Sequence, residues 1–227
     1  MRLMLCALAL TALFGTAAPA LAQTAPAAPV ADPYAPPPLT PENTWNLDLS
    51  TGGRVVIQLR PDRAPMAVER IRTLTERGFY NNTIFHRVIE GFMAQGGDPK
   101  GTGEGGSELP DLKAEFNALP HVRGTLSMAR ATSEDSANSQ FFIMLAPNLR
   151  LDGKYTAAGR VVSGMQYVDA IERGEPPANP SRILRATIGA AGDTPLPPQP
   201  AVAPVVTPPP SGPIAPPPSG ALPTGPR

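Results

Sequence analysis

Arg87 and Gln95 stand in one stretch, Phe85-His86-Arg87-Val88-Ile89-Glu90-Gly91-Phe92-Met93-Ala94-Gln95-Gly96-Gly97-Asp98, with Phe92 and Met93 between them. A guanidinium is a permanent planar cation with several donors, and an amide side chain offers both a donor and an acceptor. Two large apolar side chains beside them exclude water. The stretch holds no nucleophile and no acid/base pair, so its chemistry is to grip something apolar and offer it a few hydrogen bonds. Apolar residues at strand-like spacing, broken by Gly91 and bounded by Gly96-Gly97, predict two short strands meeting at a tight corner.

The rest of the chain offers little reactive chemistry. Ser127, Ser133, Ser136 and Ser139 show no convincing histidine partner pattern, which argues against a serine hydrolase. With two histidines, His86 and His121, and no thiol in the mature chain, a catalytic zinc site is not expected. His86 reads as a buried, hydrogen-bonded structural residue and His121 as a structural loop residue. The glycines between Gly101 and Gly106 lack the lysine and helix that a phosphate loop requires. Formal net charge is zero and no long basic run appears, which argues against nucleic acid or anionic lipid as the main partner.

Several elements must position these residues. Residues 1–22 read as a secretory signal: Arg2 is followed by an apolar run from Leu3 to Phe14, with Ala20-Leu21-Ala22 at the cleavage point. That run is short for a membrane span. Cys6, the only cysteine, lies inside it, so the mature chain is expected to have no disulfide. The expected destination is the periplasm, with secretion as the alternative. Residues 23–43 are rich in Ala and Pro and predict a linker, and residues 191–227 predict an extended, disordered Pro-rich tail.

Between them, residues 44–190 predict one domain. Trp45, Leu47 and Leu49 alternate, Gly52-Gly53 turns, and Val55, Ile57 and Leu59 alternate again, which predicts a hairpin. A helix is expected to start near Pro65 and stop at Gly78. Residues 98–124 read as loop. Strands follow at Thr125–Ala129, Phe141–Leu145 (buried on both faces), Tyr155–Val162 and Ile183–Ile188, with a second helix over Met165–Glu172. About eight strands, mostly adjacent in sequence, predict a mainly β fold: a closed eight-stranded antiparallel barrel with a helix at each end.

Tyr80-Asn81-Asn82-Thr83-Ile84-Phe85-His86-Arg87-Val88-Ile89, continued through Phe92-Met93 and Gln95-Gly96-Gly97-Asp98, resembles the signature of the cyclophilins. Gly124-Thr125-Leu126-Ser127-Met128-Ala129 is similar to that family's central strand, and Asn138-Ser139-Gln140-Phe141-Phe142-Ile143 to its second active-site strand. Leu151-Asp152-Gly153-Lys154-Tyr155 resembles the bacterial form of the next motif. The resemblance covers about residues 44–190. It implies an eight-stranded antiparallel barrel capped by two helices, and cis/trans isomerisation of peptidyl-prolyl bonds without cofactor or metal. It also implies a site in which Arg87, Gln95 and Phe92 are catalytic and Met93, Ala129, Arg130, Gln140, Phe142, Leu151 and Tyr155 bind substrate. Four positions depart from the family pattern. Arg150 and Tyr155 stand where many eukaryotic members carry tryptophan and histidine, which implies weak binding of cyclosporin. Ala158 replaces a bulky aromatic, and Arg130 replaces an asparagine and adds charge at the rim.

The implied activity suits a site without a nucleophile. Rotation of a prolyl amide faces a barrier of roughly 18–20 kcal/mol because lone-pair donation stiffens the C–N bond, yet no covalent bond breaks. A catalyst need only prefer the twisted amide to the planar one. The expected partners are proline-containing unfolded or partly folded polypeptides, met by a monomer. The alternative is a non-catalytic module that holds proline segments, with the tail as its interaction segment.

Overall fold

The alternating residues of the first predicted hairpin form β1 (Thr44–Leu49) and β2 (Gly53–Leu59), paired antiparallel. Gly52 turns between them at a φ of 108°, open to glycine and strained for other residues. This computed structural model describes residues 36–190 together with Gly192, Leu196 and Pro197. The signal segment 1–22, the linker up to residue 35 and nearly all of the tail lie outside the described residues. Bonds to the sheet begin before Thr44, since Gln58 Nε2 donates to Pro37 O at 2.6 Å. Thr44 Oγ1 in turn donates to Thr40 O at 2.6 Å.

α1 spans Pro65–Glu76 with proline in its first turn, where a missing N–H costs nothing. Gly78, at a φ of 69°, lies just beyond its end, as expected. Ala64 at the N-cap has no side chain with which to cap. The carboxylate of Glu115, far along the chain, does so, accepting from Met66 N and Ala67 N at 2.9 Å each. A carboxylate there satisfies two orphan donors and the positive end of the helix dipole. Glu115→Ala is therefore expected to cost about 1 kcal/mol in a urea melt, the size of a lost N-cap; an unchanged midpoint would refute the cap.

The remaining strands are β3 (Arg87–Ile89), β4 (Met93–Gly96), β5 (Thr125–Met128), β6 (Phe141–Met144), β7 (Ala157–Ser163) and β8 (Ile183–Ile188). They form one antiparallel sheet in the order β3-β4-β6-β5-β7-β2-β1-β8. The expectation of a closed barrel needs correction. β3 and β8 end the order and share no ladder, so the sheet is open and curled. β3 is three residues long, too short to zip along β8. The chain just ahead of β3 does meet the start of β8: Ile84 bridges Arg182, Asn82 N donates to Ile183 O at 2.7 Å, and Ile183 N donates to Thr83 O at 2.9 Å.

The second helix also differs. α2 covers only Met165–Asp169. Ala170 N closes it by donating back to Gln166 O and Val168 O, and Ile171 then turns into the core.

The inner face of the sheet and α1 enclose one core, in which Trp45 meets Tyr80 and Phe141 edge-on at 5.3 and 5.0 Å between ring centroids. Ala158 is fully buried there. β6 shows why a continuous apolar run was needed. Phe141 and Ile143 point into this core, while Phe142 and Met144 join a separate apolar cluster on the other face. That second cluster also takes in Met93, Ile89, Phe92, Ala129, Leu151 and Tyr155.

Candidate active site

Strand register assembles the second face. Arg87 stands opposite Gln95, Gln95 opposite Phe142, and Phe142 opposite Ser127. Directly opposed residues share a face of a sheet, so Arg87, Gln95, Phe142 and Ser127 form one row across four strands. The β3–β4 corner that begins the row closes through Phe92 N to Ile89 O at 3.1 Å, with Gly91 at a φ of 66°. Met93 pairs with Met144 one step along and lays the apolar floor.

A small cavity of about 130 Å³ opens on this row, lined by Arg87, Phe92, Met93, Gln95, Ala129, Arg130, Phe142, Leu151 and Tyr155. A larger cavity of about 530 Å³ shares Gln95, Ala129 and Arg130 and is lined further by Gln140, Glu104, Asp111 and the glycines 103, 105 and 106. All ten residues singled out in the sequence thus lie around two adjoining cavities. The smaller sets the side chains of Phe92, Met93, Phe142, Leu151 and Tyr155 beside two guanidiniums, Arg87 and Arg130, and the amide of Gln95; the larger is lined mainly by polar residues and glycines.

Gln140 joins the two. Its Nε2 donates to Gly103 O and Gly105 O at 2.8 Å each, which leaves its Oε1 to accept from Gln95 Nε2 at 2.9 Å. Both glycine carbonyls can only accept, so the orientation of both amides follows, and Gln95 Oε1 is left as an acceptor at the cavity. The loop that supplies these carbonyls is itself tied by Asp98, which is fully buried. Asp98 accepts from Lys100 N, Thr102 N and Gly103 N at 2.8, 2.8 and 2.7 Å. Burial works against its charge, yet the backbone donors outweigh burial and hold its pKa below the ordinary value.

Arg87 is half-exposed and donates from Nε to Glu175 Oε2 at 2.7 Å. Its Nη groups have no partner among the described residues. Arg130, expected to add charge at the rim, donates to the carbonyls of Ala131, Thr132 and Lys154 and lies 4.8 Å over the Tyr155 ring. Arg150 is exposed beside Leu151.

His86 is buried as expected, but neither ring nitrogen has a hydrogen-bond partner among the described residues. Gln140 approaches the ring, but its amide hydrogens go to the two glycine carbonyls. Burial lowers the His86 pKa, against the pull of the Asp98 carboxylate. His121 is a loop residue, as expected, but it has a serine partner that sequence spacing did not suggest. Its Nδ1 lies 2.8 Å from Asp152 Oδ1 and its Nε2 lies 3.0 Å from Ser127 Oγ. This resembles a hydrolase triad in outline only. Ser127 is 0% exposed and also contacts Thr156 O at 2.9 Å, so no substrate carbonyl can reach Oγ. The His121 ring stacks against Phe142 at 6.2 Å. The trio therefore backs the apolar wall and ties it to Asp152, next to Leu151.

The family model described as cyclophilin type peptidyl-prolyl cis-trans isomerase/CLD matches residues 46–188. The chain belongs to this family of isomerases. A probable peptidyl-prolyl cis-trans isomerase of Brucella suis is 49% identical over 166 residues, covering 66% of this chain and 84% of that protein. A peptidyl-prolyl cis-trans isomerase-like 1 protein of Aspergillus fumigatus is 41% identical over 150 residues, covering 62% of this chain and 92% of its own. Among solved structures, cyclophilin AquaCyp293 from Hirschia baltica aligns with a TM-score of 0.61 at 28% identity, over 66% of this chain and 75% of that one. A Cryptosporidium parvum cyclophilin type isomerase, crystallised in the presence of the dipeptide ala-pro, aligns with a TM-score of 0.61 at 30% identity, over 65% and 99%.

Within this cyclophilin, sequence reading passed over Asp98, Glu175 and the Ser127–His121–Asp152 trio. Asp98 had a local signal, a carboxylate ahead of a glycine-rich loop. Glu175 had none, because it reaches Arg87 from the far end of the domain.

Proposed function

We propose that Arg87 accelerates rotation about Xaa-Pro bonds by donating from its Nη groups to the prolyl nitrogen of a twisted amide. The observation that supports this is that Arg87 edges the same small cavity as Phe92, Met93, Phe142 and Leu151. These side chains hold the pyrrolidine ring away from water, where a charge-assisted bond strengthens. A planar prolyl nitrogen has no lone pair to accept it, so the bond favours the twisted state over the ground state. Gln95 and the backbone around Arg130 hold the flanking peptide while the other side rotates. A protease-coupled assay on an Ala-Xaa-Pro peptide tests this: wild type accelerates exchange, and Arg87→Ala does so far less. Equal activity in both would overturn the reading.

The clients in this reading are exported polypeptides in the periplasm, with residues 1–22 directing export. Its support is the charged, apolar and small-residue order of that segment; among the described residues, no helix is long and apolar enough to cross a membrane. Cell fractionation with N-terminal sequencing is expected to recover a periplasmic chain starting at Gln23. A cytoplasmic chain that keeps Met1 would refute it. The Pro-rich tail then serves as an interaction segment or spacer.

A further inference from the structure

The edge of β3 that faces away from β4 is not bare. Val88 N donates to Gly174 O at 2.8 Å, and Gly174 N returns a bond to Val88 O at 2.9 Å. An ion pair flanks this exchange on each side: Arg87 Nε with Glu175 Oε2 at 2.7 Å, and Arg173 Nε with Glu90 Oε2 at 2.6 Å. The contacts run antiparallel, so residues 173–175 form a clasp along the strand that carries Arg87. Gly174 sits at a φ of 144°, and a Cβ there would fall 2.6 Å from Pro177 Cα. Only glycine therefore fits at the centre of the clasp.

Glu175 does not line the cavity; it touches the guanidinium from behind. Its carboxylate takes the Nε edge and leaves the Nη groups without a partner among the described residues. We propose that Glu175 is a positioning residue, which fixes the Nε edge of Arg87 so that the Nη edge meets the prolyl nitrogen. This rests on the reading of Arg87 given above. A long side chain fixed before the substrate arrives loses less freedom in the transition state. Both partners are about half exposed, at 42% and 51%, so the effect is that of a surface pair, modest and sensitive to salt.

The test is steady-state isomerisation by Glu175→Ala and Glu175→Gln across a salt series. Glu175→Ala is expected to lower kcat about two- to fivefold with KM nearly unchanged, the size of an exposed ion pair. Glu175→Gln should fall between, because its amide oxygen still accepts from Nε without the charge. Raising salt from about 50 mM to about 1 M should bring wild type down towards Glu175→Ala while the variant stays flat. Added to Arg87→Ala, Glu175→Ala should change nothing further. Arg173→Ala loosens the clasp without touching Arg87, and its kcat should keep the wild-type salt response. A Glu175→Ala kcat at or above wild type, or a further loss on top of Arg87→Ala, overturns the positioning role while the Arg87 reading stands. Full activity in Arg87→Ala overturns both.

Discussion

Arg87→Ala is expected to lower kcat/KM for Xaa-Pro isomerisation by about 10²–10³-fold, the loss seen when one transition-state donor is removed, or about 3–4 kcal/mol. The loss should fall on kcat, because the planar amide offers no lone pair to Arg87 and ground-state binding comes from the apolar walls. The fold should survive. The Arg87 side chain is 42% exposed, and its partner Glu175 returns to water without leaving a buried charge. Arg87→Lys is informative beside it. An ammonium cannot be held at one edge while presenting two donors at another, so lysine should recover only part of the rate. Protease-coupled kinetics paired with thermal melts separate the outcomes. A variant with wild-type kcat would remove Arg87 from the chemistry; one with a raised KM alone would make it a binding group.

Asp98→Ala is expected to destabilise the domain on the order of 3 kcal/mol, because a buried carboxylate serves several backbone donors that then go unpaired. Function should fall with it. The loop from Lys100 to Gly105 supplies the carbonyls that hold Gln140, and Gln140 holds Gln95, so freeing the loop slackens the substrate side of the site. The same carboxylate predicts a pH dependence. Its folded pKa lies below the ordinary value, so its stabilisation is complete above the unfolded carboxylate's pKa of about 3.9 and is lost as pH falls through the lower folded value. Urea melts should show wild type well above Asp98→Asn at pH 7, with the gap closing as pH falls below about 4. A gap unchanged at acid pH would mean the carboxylate is not the ordering group.

What could be read from the chain without its structure was local. Gly91 between two apolar runs dictates a tight corner, and that corner sets Arg87 opposite Gln95. The continuous run Phe141–Leu145 demands burial on both faces, which the core and the site cluster provide. The antiparallel strands and the start of α1 at Pro65 followed from such patterns, while the residues that surround the cavities followed from the resemblance to the cyclophilins. What escaped depended on chain segments far apart. Closure of the barrel failed because β3 is too short to pair along β8, a question of geometry after curling rather than of strand propensity. The cap on α1 came from Glu115 because Ala64 could not provide one. His86 was expected to be hydrogen-bonded, but the nearby amide hydrogens of Gln140 go to Gly103 O and Gly105 O instead.

The sequence by itself determined the residue types at the site and the short-range order that presents them: an arginine, two amides and apolar walls, with no group to attack a bond. Only the tertiary structure decided what stands behind that arginine. Glu175 meets Arg87 through a backbone exchange between Val88 and Gly174, and backbone donors and acceptors are the same at every residue. Nothing in their spacing along the chain could announce which two segments would meet; that was settled by the packing of the whole domain.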